Sequence, residues 1–277
     1  MRATSPIVRH GSYRRRSDGV RIFRLRCLRC MHTFSASRND VCFNQKKRHL
    51  NHPIWMLLVS GVSLRRLSLL LKISRTTAAR KLIFLGKLAQ EDLNLSLCKI
   101  SKIDSLEFDD METFEHSKLK PLSISLAVES KTRRVLGFEV SQMPANGTLA
   151  RRARQRYGKR IDHRSIGRAT LLKRIALITN QSTIIKSDQN PQYPPLIKKI
   201  LPSVQHLTFK GRRGCVVGQG ELKRGGFDPL FSLNHTAAMF RANVNRLFRR
   251  TWCTTKKRDA LTAHLAIYAT FHNQNIH

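Results

Sequence analysis

The acidic residues of this chain are few, and nearly half of them stand together. Eight of its 17 Asp and Glu lie in residues 101–150, in a molecule that carries 52 Lys and Arg. At the centre of that block runs Glu107-Phe108-Asp109-Asp110-Met111-Glu112-Thr113-Phe114-Glu115. Leu106 and Phe108 alternate with carboxylates there, which is the pattern of a half-buried strand. A fold must bring such a strand against Arg and Lys or around a cation, because adjacent carboxylates in a partly dry setting resist ionising together.

Everywhere else the charge is positive: +11 in residues 1–50, +6 in 51–100, +11 in 151–200 and +9 in 201–277, for a net +35. A surface of this kind seeks a polyanion and releases counterions from nucleic acid on binding. Carboxylates facing that polyanion would repel it unless a divalent cation stood between, and hard oxygen ligands are what Mg²⁺ takes. A ribosomal-type RNA binder would also be basic, but it would scatter its acids. The 41% hydrophobic content argues against a disordered chain. The longest apolar run, at residues 54–62, is too short to span a membrane and contains Gly61. The basic start lacks an apolar core for secretion, and six cysteines form no disulfide framework, so the expectation is a reduced, cytoplasmic protein.

Three regions follow. Residues 1–50 are Arg-rich, with strand-like alternation at 20–26 running into Cys27-Leu28-Arg29-Cys30 and then Phe34. That reads as one knuckle of a zinc ribbon, but a tetrahedral zinc needs four ligands. Residues 1–26 hold no cysteine, and only His10 and His32 stand in reserve, so the reading without zinc remains beside it. Residues 51–100 read as a helix-turn-helix with its linker. Pro53 opens a first helix, Ser63 caps a second carrying Leu64, Leu67, Leu70 and Leu71 on one face, and Ser74 caps a third through about Leu88. The third helix turns Arg75, Thr76, Thr77, Arg80 and Lys81 outward, where they suit a major groove, and Leu82 and Leu85 inward. A plain helical bundle is the competing reading.

Residues 101–277 read as an α/β domain. Strands are expected at 105–110, 122–128 and 134–142, then at 183–188 and 204–209, with helices from Pro191 to Ile200, over 229–250 and over 256–272. A three-strand meander followed by a strand parallel to the first would place Asp109 and Asp188 together at the carboxyl ends of central strands. Two carboxylates there can share divalent metal ions in phosphoryl transfer. The competing role for Asp188 is to cap the following helix through Asp188-Gln189-Asn190-Pro191. Asp110 must face away from Asp109 and is expected to be ion-paired or at the surface, with Glu112 and Glu115 pairing with Arg.

The order of these elements resembles bacterial insertion-sequence transposases with a ribonuclease H-like catalytic domain. The resemblance rests on residues 108–116, on Lys186-Ser187-Asp188-Gln189-Asn190-Pro191, and on residues 234–253 with Asn243-Val244-Asn245-Arg246-Leu247-Phe248. It implies a ribonuclease H-like mixed sheet flanked by helices, preceded by a helix-turn-helix and a degenerate zinc-ribbon-like segment. It also implies cleavage and joining of DNA strands at element ends with Mg²⁺ or Mn²⁺. The partners would be duplex DNA of both ends and target, bound by a homo-oligomer in the bacterial nucleoid. Such enzymes carry a third acid, a Glu, on the last catalytic helix, with Lys or Arg seven residues on. The matching positions are Asn234 and Arg241, two helical turns apart on one face. The amide at Asn234 departs from the pattern; Glu221, in a Gly-rich loop, is the competing third ligand. A decayed transposase that binds DNA without cutting it is the alternative.

Overall fold

The computed structural model describes residues 6–16, 18–210, 226–248 and 253–276. The chain divides into two compact units, Met1–Ile54 and Trp55–His277.

In the first unit β1 (Ile7–Arg14), β2 (Arg21–Cys27) and β3 (Thr33–Ser35) form an antiparallel sheet in that order. The alternation read at 20–26 becomes β2. β1 has no comparable apolar signal in sequence; its ladder is broken between Arg9 and Ser12 by a bulge in which Gly11 takes φ +84°. Cys27 ends β2. Its sulfur accepts backbone N–H groups of Cys30 and Arg29, which hold the thiol below its usual pKa. Two sulfurs are half of a tetrahedral set. Among the described residues no group of three His, Cys, Asp or Glu comes together to hold a metal ion, so the zinc reading is not completed.

α1 (Asn51–Val59) spans the boundary at Ile54, and the larger unit continues with α2 (Leu64–Leu70) and α3 (Arg75–Lys99). Both expected serine caps form: Ser63 Oγ accepts Arg66 N–H at 3.2 Å and Ser74 Oγ accepts Thr77 N–H at 3.1 Å. Three expectations need correcting. α3 continues eleven residues past Leu88, to Lys99, because its far half is buried along α8 (Arg258–Gln274). Lys81, expected outward, is buried. Leu70, expected on one face with Leu64, Leu67 and Leu71, is 58% exposed, and Ser68 is buried beside Leu67 instead.

Beyond α3 the chain builds a mixed five-stranded sheet flanked by helices. Its strands are β4 (Ser105–Phe114), β5 (Pro121–Glu129), β6 (Val135–Gln142), β7 (Ile184–Asp188) and β8 (Gln205–Phe209), in spatial order β6-β5-β4-β7-β8. The expected meander forms, with β4 antiparallel to β5 and β5 antiparallel to β6, and β7 lies parallel to β4 and β8. Between β6 and β7 run α4 (Leu149–Tyr157) and α5 (Arg164–Ile175); α6 (Tyr193–Ile200) links β7 to β8, and α7 (Phe231–Asn243) follows. α7 stops well short of residue 250: Val244 turns to extended backbone before a short 3-10 turn at Asn245–Leu247.

The sheet is covered on both sides. Leu106, Phe108 and Ala127 join Leu171, Leu172, Ile175, Tyr193 and Ile197 of α5 and α6 in one core. The other side carries α3, α7 and α8. Burial on both faces explains why β5 reads Leu-Ser-Ile-Ser-Leu-Ala-Val with even its serines fully enclosed. At the edge of the sheet the Asn273 side chain of α8 bonds both backbone groups of Val135, accepting at 2.8 Å and donating at 2.9 Å. Among the described residues no helix is long and apolar enough to cross a membrane.

Candidate functional site

β4 lies at the centre of the sheet, and side-chain alternation divides its acids between two environments. Asp110 points with Leu106 and Phe108 toward α5. There the buried Arg168 guanidinium meets its Oδ2 through Nε at 3.0 Å and Nη2 at 2.5 Å, and Ser125 Oγ donates to its Oδ1 at 2.7 Å. Arg168 also donates to Gln192 Oε1 at 2.6 Å and lies over the Tyr193 ring at 4.9 Å. The expectation that Asp110 is ion-paired holds, with its partner 58 residues away. Glu115 lies near Arg160 and Lys120, at 3.8 and 3.9 Å, while Glu112 is exposed.

Asp109 points to the other side. The parallel ladder runs from Ser105↔Ile184 to Phe108↔Ser187, and one further step brings Asp109 alongside Asp188. One expectation is adjusted here: β4 continues to Phe114, so Asp109 sits in mid-strand, at the end of the ladder shared with β7 rather than of its own strand. Asp109 Oδ1 accepts the Tyr193 hydroxyl at 3.0 Å and the Asp110 N–H at 2.6 Å. Burial, and then the charge of Asp188, push its pKa up to about 7 despite those bonds. Asp188 accepts Asn190 N–H at 3.0 Å within the turn, but α6 begins after Gln192 with no side-chain cap, so Asp188 does not cap the following helix.

The third position is built by α7. Glu107, two residues before Asp109 and on the same strand face, is buried and accepts Leu233 N–H at 2.7 Å, which seats the first turn of α7 on β4. Its pKa is raised, first by burial, with the charge of Asp228 adding to that and Lys186 opposing it. Asp228 lies just ahead of α7, where its Oδ1 accepts Leu230 N–H at 2.9 Å and its Oδ2 accepts the Asn234 side-chain N–H at 2.9 Å. α7 thus carries Asn234 to the side of β4 that bears Asp109, held against a carboxylate. Glu221 lies outside the described residues, as does Trp252. Arg241 is exposed and opens on a cleft of about 630 Å³ beyond Asp109, lined also by Met111, Glu112, His116 and Arg246.

Sequence reasoning did not find Asp228, Tyr193, Arg168 or the role of Glu107. The Asp228-Pro229 pair ahead of a helix is a cap signal that could have marked the first. Glu107 stands at i−2 from Asp109, a spacing that places both on one face. Nothing local marks Tyr193 or Arg168. On the helices, Arg75, Thr76 and Arg80 are exposed, Thr77 is half-buried and bonded to the Ser74 cap, and Lys81 is withdrawn from the surface.

The donor set suits a hard divalent cation: the charge of Asp188 raises the cost of ionising Asp109, and Mg²⁺ characteristically uses one or two protein carboxylates with water and phosphate oxygens for the rest. No three His, Cys, Asp or Glu among the described residues form a self-sufficient metal cage. Searches of protein-family models and of curated proteins gave no match to the chain.

Proposed function

We propose that this protein is a DNA transposase with a ribonuclease H-like catalytic domain, cutting and joining DNA strands with Mg²⁺ or Mn²⁺. The observation that carries the reading is Asp109 and Asp188 side by side on parallel central strands, with Asp109 raised to about 7. Asp109 and Asp188 would hold the metal, with Asn234 or Asp228 at its edge. When bound, the metal lowers the pKa of an attacking oxygen and stabilises the leaving 3′ oxygen. The protein's own part is to orient. Tyr193 fixes one oxygen of Asp109, Arg168 takes the charge of Asp110 out of the site, and Arg241 supplies a cation in the adjoining cleft for the DNA backbone. Residues 51–99 would act as the helix-turn-helix that holds element ends, with Arg75 and Arg80 toward DNA.

The test uses the full chain and duplexes carrying the DNA that flanks its gene, with Mg²⁺ or Mn²⁺. Asp109→Asn and Asp188→Asn should each lower cleavage by roughly two orders of magnitude or more while duplex binding stays near wild type. Near wild-type cleavage by either variant sinks the assignment. Among third-position candidates, Asn234→Ala or Asp228→Asn should raise the Mn²⁺ concentration for half-maximal cleavage; a loss confined to Glu221→Gln would move the third ligand to the loop.

A second reading, DNA binding without cleavage, draws on the lack of a three-carboxylate group among the described residues. Wild-type protein that binds end DNA but leaves it intact at any Mn²⁺ concentration would favour it.

A further inference from the structure

The first compact unit holds an arrangement that the proposed chemistry does not use. Its β1–β2 ribbon carries an exposed aromatic ring, Phe23. Register places Arg9, opposite Leu25, and Ser12, opposite Phe23, on the face that carries this ring; Arg14 and Arg21 face each other directly on the same face. The Arg9 guanidinium lies 4.8 Å from the Phe23 centroid and that of Arg21 lies 5.9 Å from it, with Arg21 Nε also donating to Ser12 Oγ at 2.9 Å. Like charges directly across a strand pair destabilise it, so three arginines on one ribbon face need a reason.

They are not neutralised within the unit. Residues 1–54 contain two acids, Asp18 and Asp40. Asp18 grips Arg15 at 2.5 Å, and Asp40 pairs with Arg48 and lies 3.8 Å from Arg15. Among the described residues neither acid pairs with Arg9, Arg14 or Arg21.

We propose that this face of the β1–β2 ribbon docks the phosphate backbone of duplex DNA. Phe23 acts as a prop that aims Arg9 and Arg21 outward, and Arg14 completes a row of cations. The ring argues for a duplex over a single strand. Stacking an unpaired base needs an open aromatic face, and here guanidinium groups already cover the ring. Beyond β3, which pairs only with Arg24, Leu25 and Arg26, β1 and β2 run on as a two-stranded ribbon, a shape that matches the width of the B-DNA major groove, whose rims are phosphates. The inference shares with the proposed function only the identity of the partner.

The test measures binding of the full chain to a random-sequence 20-base-pair DNA duplex over a salt series, with the matching single strand and an RNA duplex as parallel arms. Arg9→Gln/Arg14→Gln/Arg21→Gln should lower the salt slope by roughly 2–3, about 0.9 for each phosphate no longer neutralised, and weaken binding at 100 mM salt by tenfold or more. A control that removes three exposed charges elsewhere in the unit, Arg29→Gln/Arg38→Gln/Lys46→Gln, should change the slope by less than 1. If the triple variant loses thermal stability, Arg14→Gln and Arg21→Gln made singly should each lower the slope by about 0.9. Equal reductions from face and control variants, or a reduction seen only with single-stranded DNA or RNA, would overturn the proposal. No cleavage is scored, so the result is independent of whether the acidic site is active.

Discussion

Asp109 and Asp110 are neighbours with opposite electrostatics, and one peptide unit makes the difference. Asp110 is stabilised by a buried guanidinium, whereas Asp109 is squeezed by burial and by Asp188. A carboxyl whose folded pKa is raised binds a proton in the native state over a window where the unfolded chain has released it. Between about pH 4 and 7 the native state therefore binds more protons through this group, and stability falls as pH rises across that window. Asp109→Asn removes the effect. In metal-free buffer the variant should gain on wild type from pH 4 to 7, reaching an advantage on the order of 2–4 kcal/mol at pH 8. Taking the difference between the two proteins cancels the buried His264, whose lowered pKa, about 4, makes stability fall toward acid in both. Added Mg²⁺ should shrink the difference, because a cation favours the ionised pair. Thermal denaturation of both proteins over this pH range provides the check; a difference that stays flat with pH would show that the Asp109 carboxyl is not raised in the folded protein.

At the scale of elements, the packing of α3 on α8 ties the amino-terminal helices to the sheet. It depends on Gly86. A Cβ there would lie 2.3 Å from Ala263 Cβ and 2.5 Å from its Cα, backbone that cannot swing aside. Thr270 Oγ1 donates to Ala89 O at 3.2 Å nearby, and His264 Nε2 donates to Leu58 O at 2.9 Å, so the helices are bonded as well as packed. On an isolated helix Gly→Ala gains about 1 kcal/mol. Here overpacking costs about 1–3 kcal/mol or more, so the sign should reverse. Gly86→Ala is expected to lower Tm by roughly 2–6 °C. An unchanged or raised Tm would mean the two helices separate without cost.

At the scale of the whole molecule, a net charge of +35 surrounds a central strand, β4, that carries four of the 17 acids, divided between its two faces. Binding to DNA should therefore be strong and salt-dependent for any sequence, and discrimination must come from few positions. Arg75 and Arg80, exposed on the first turns of α3, are the candidates. A base-edge contact carries about 1–3 kcal/mol of discrimination, whereas a phosphate contact weakens all sequences alike. In competition between end and random duplexes, Arg75→Ala and Arg80→Ala should each reduce the preference for end DNA by roughly five-fold or more. Equal weakening on both duplexes would make α3 a non-specific clamp.

What the sequence determined by itself is local in origin. Ser63 and Ser74 cap helices because a cap needs only the next three residues, and the alternation around Leu106, Phe108 and Leu122–Val128 made strands because period two is visible in any short window. The division of Asp109 from Asp110 followed from the same alternation, and the meander with a parallel fourth strand placed Asp188 correctly. Tertiary structure alone decided the rest. Glu107 is buried because Leu233, 126 residues on, brings its N–H to it, and Asp110 is neutralised by Arg168 across 58 residues. α3 is prolonged because α8 arrives from the far end of the chain to cover one side of it, while Lys81 is withdrawn and Leu70 exposed. Asp228 joins the site only when α7 docks on β4. A helix cap or strand alternation is set by residues a few places apart, while burial and ion pairing are set by segments that meet only after the chain has closed loops of scores of residues.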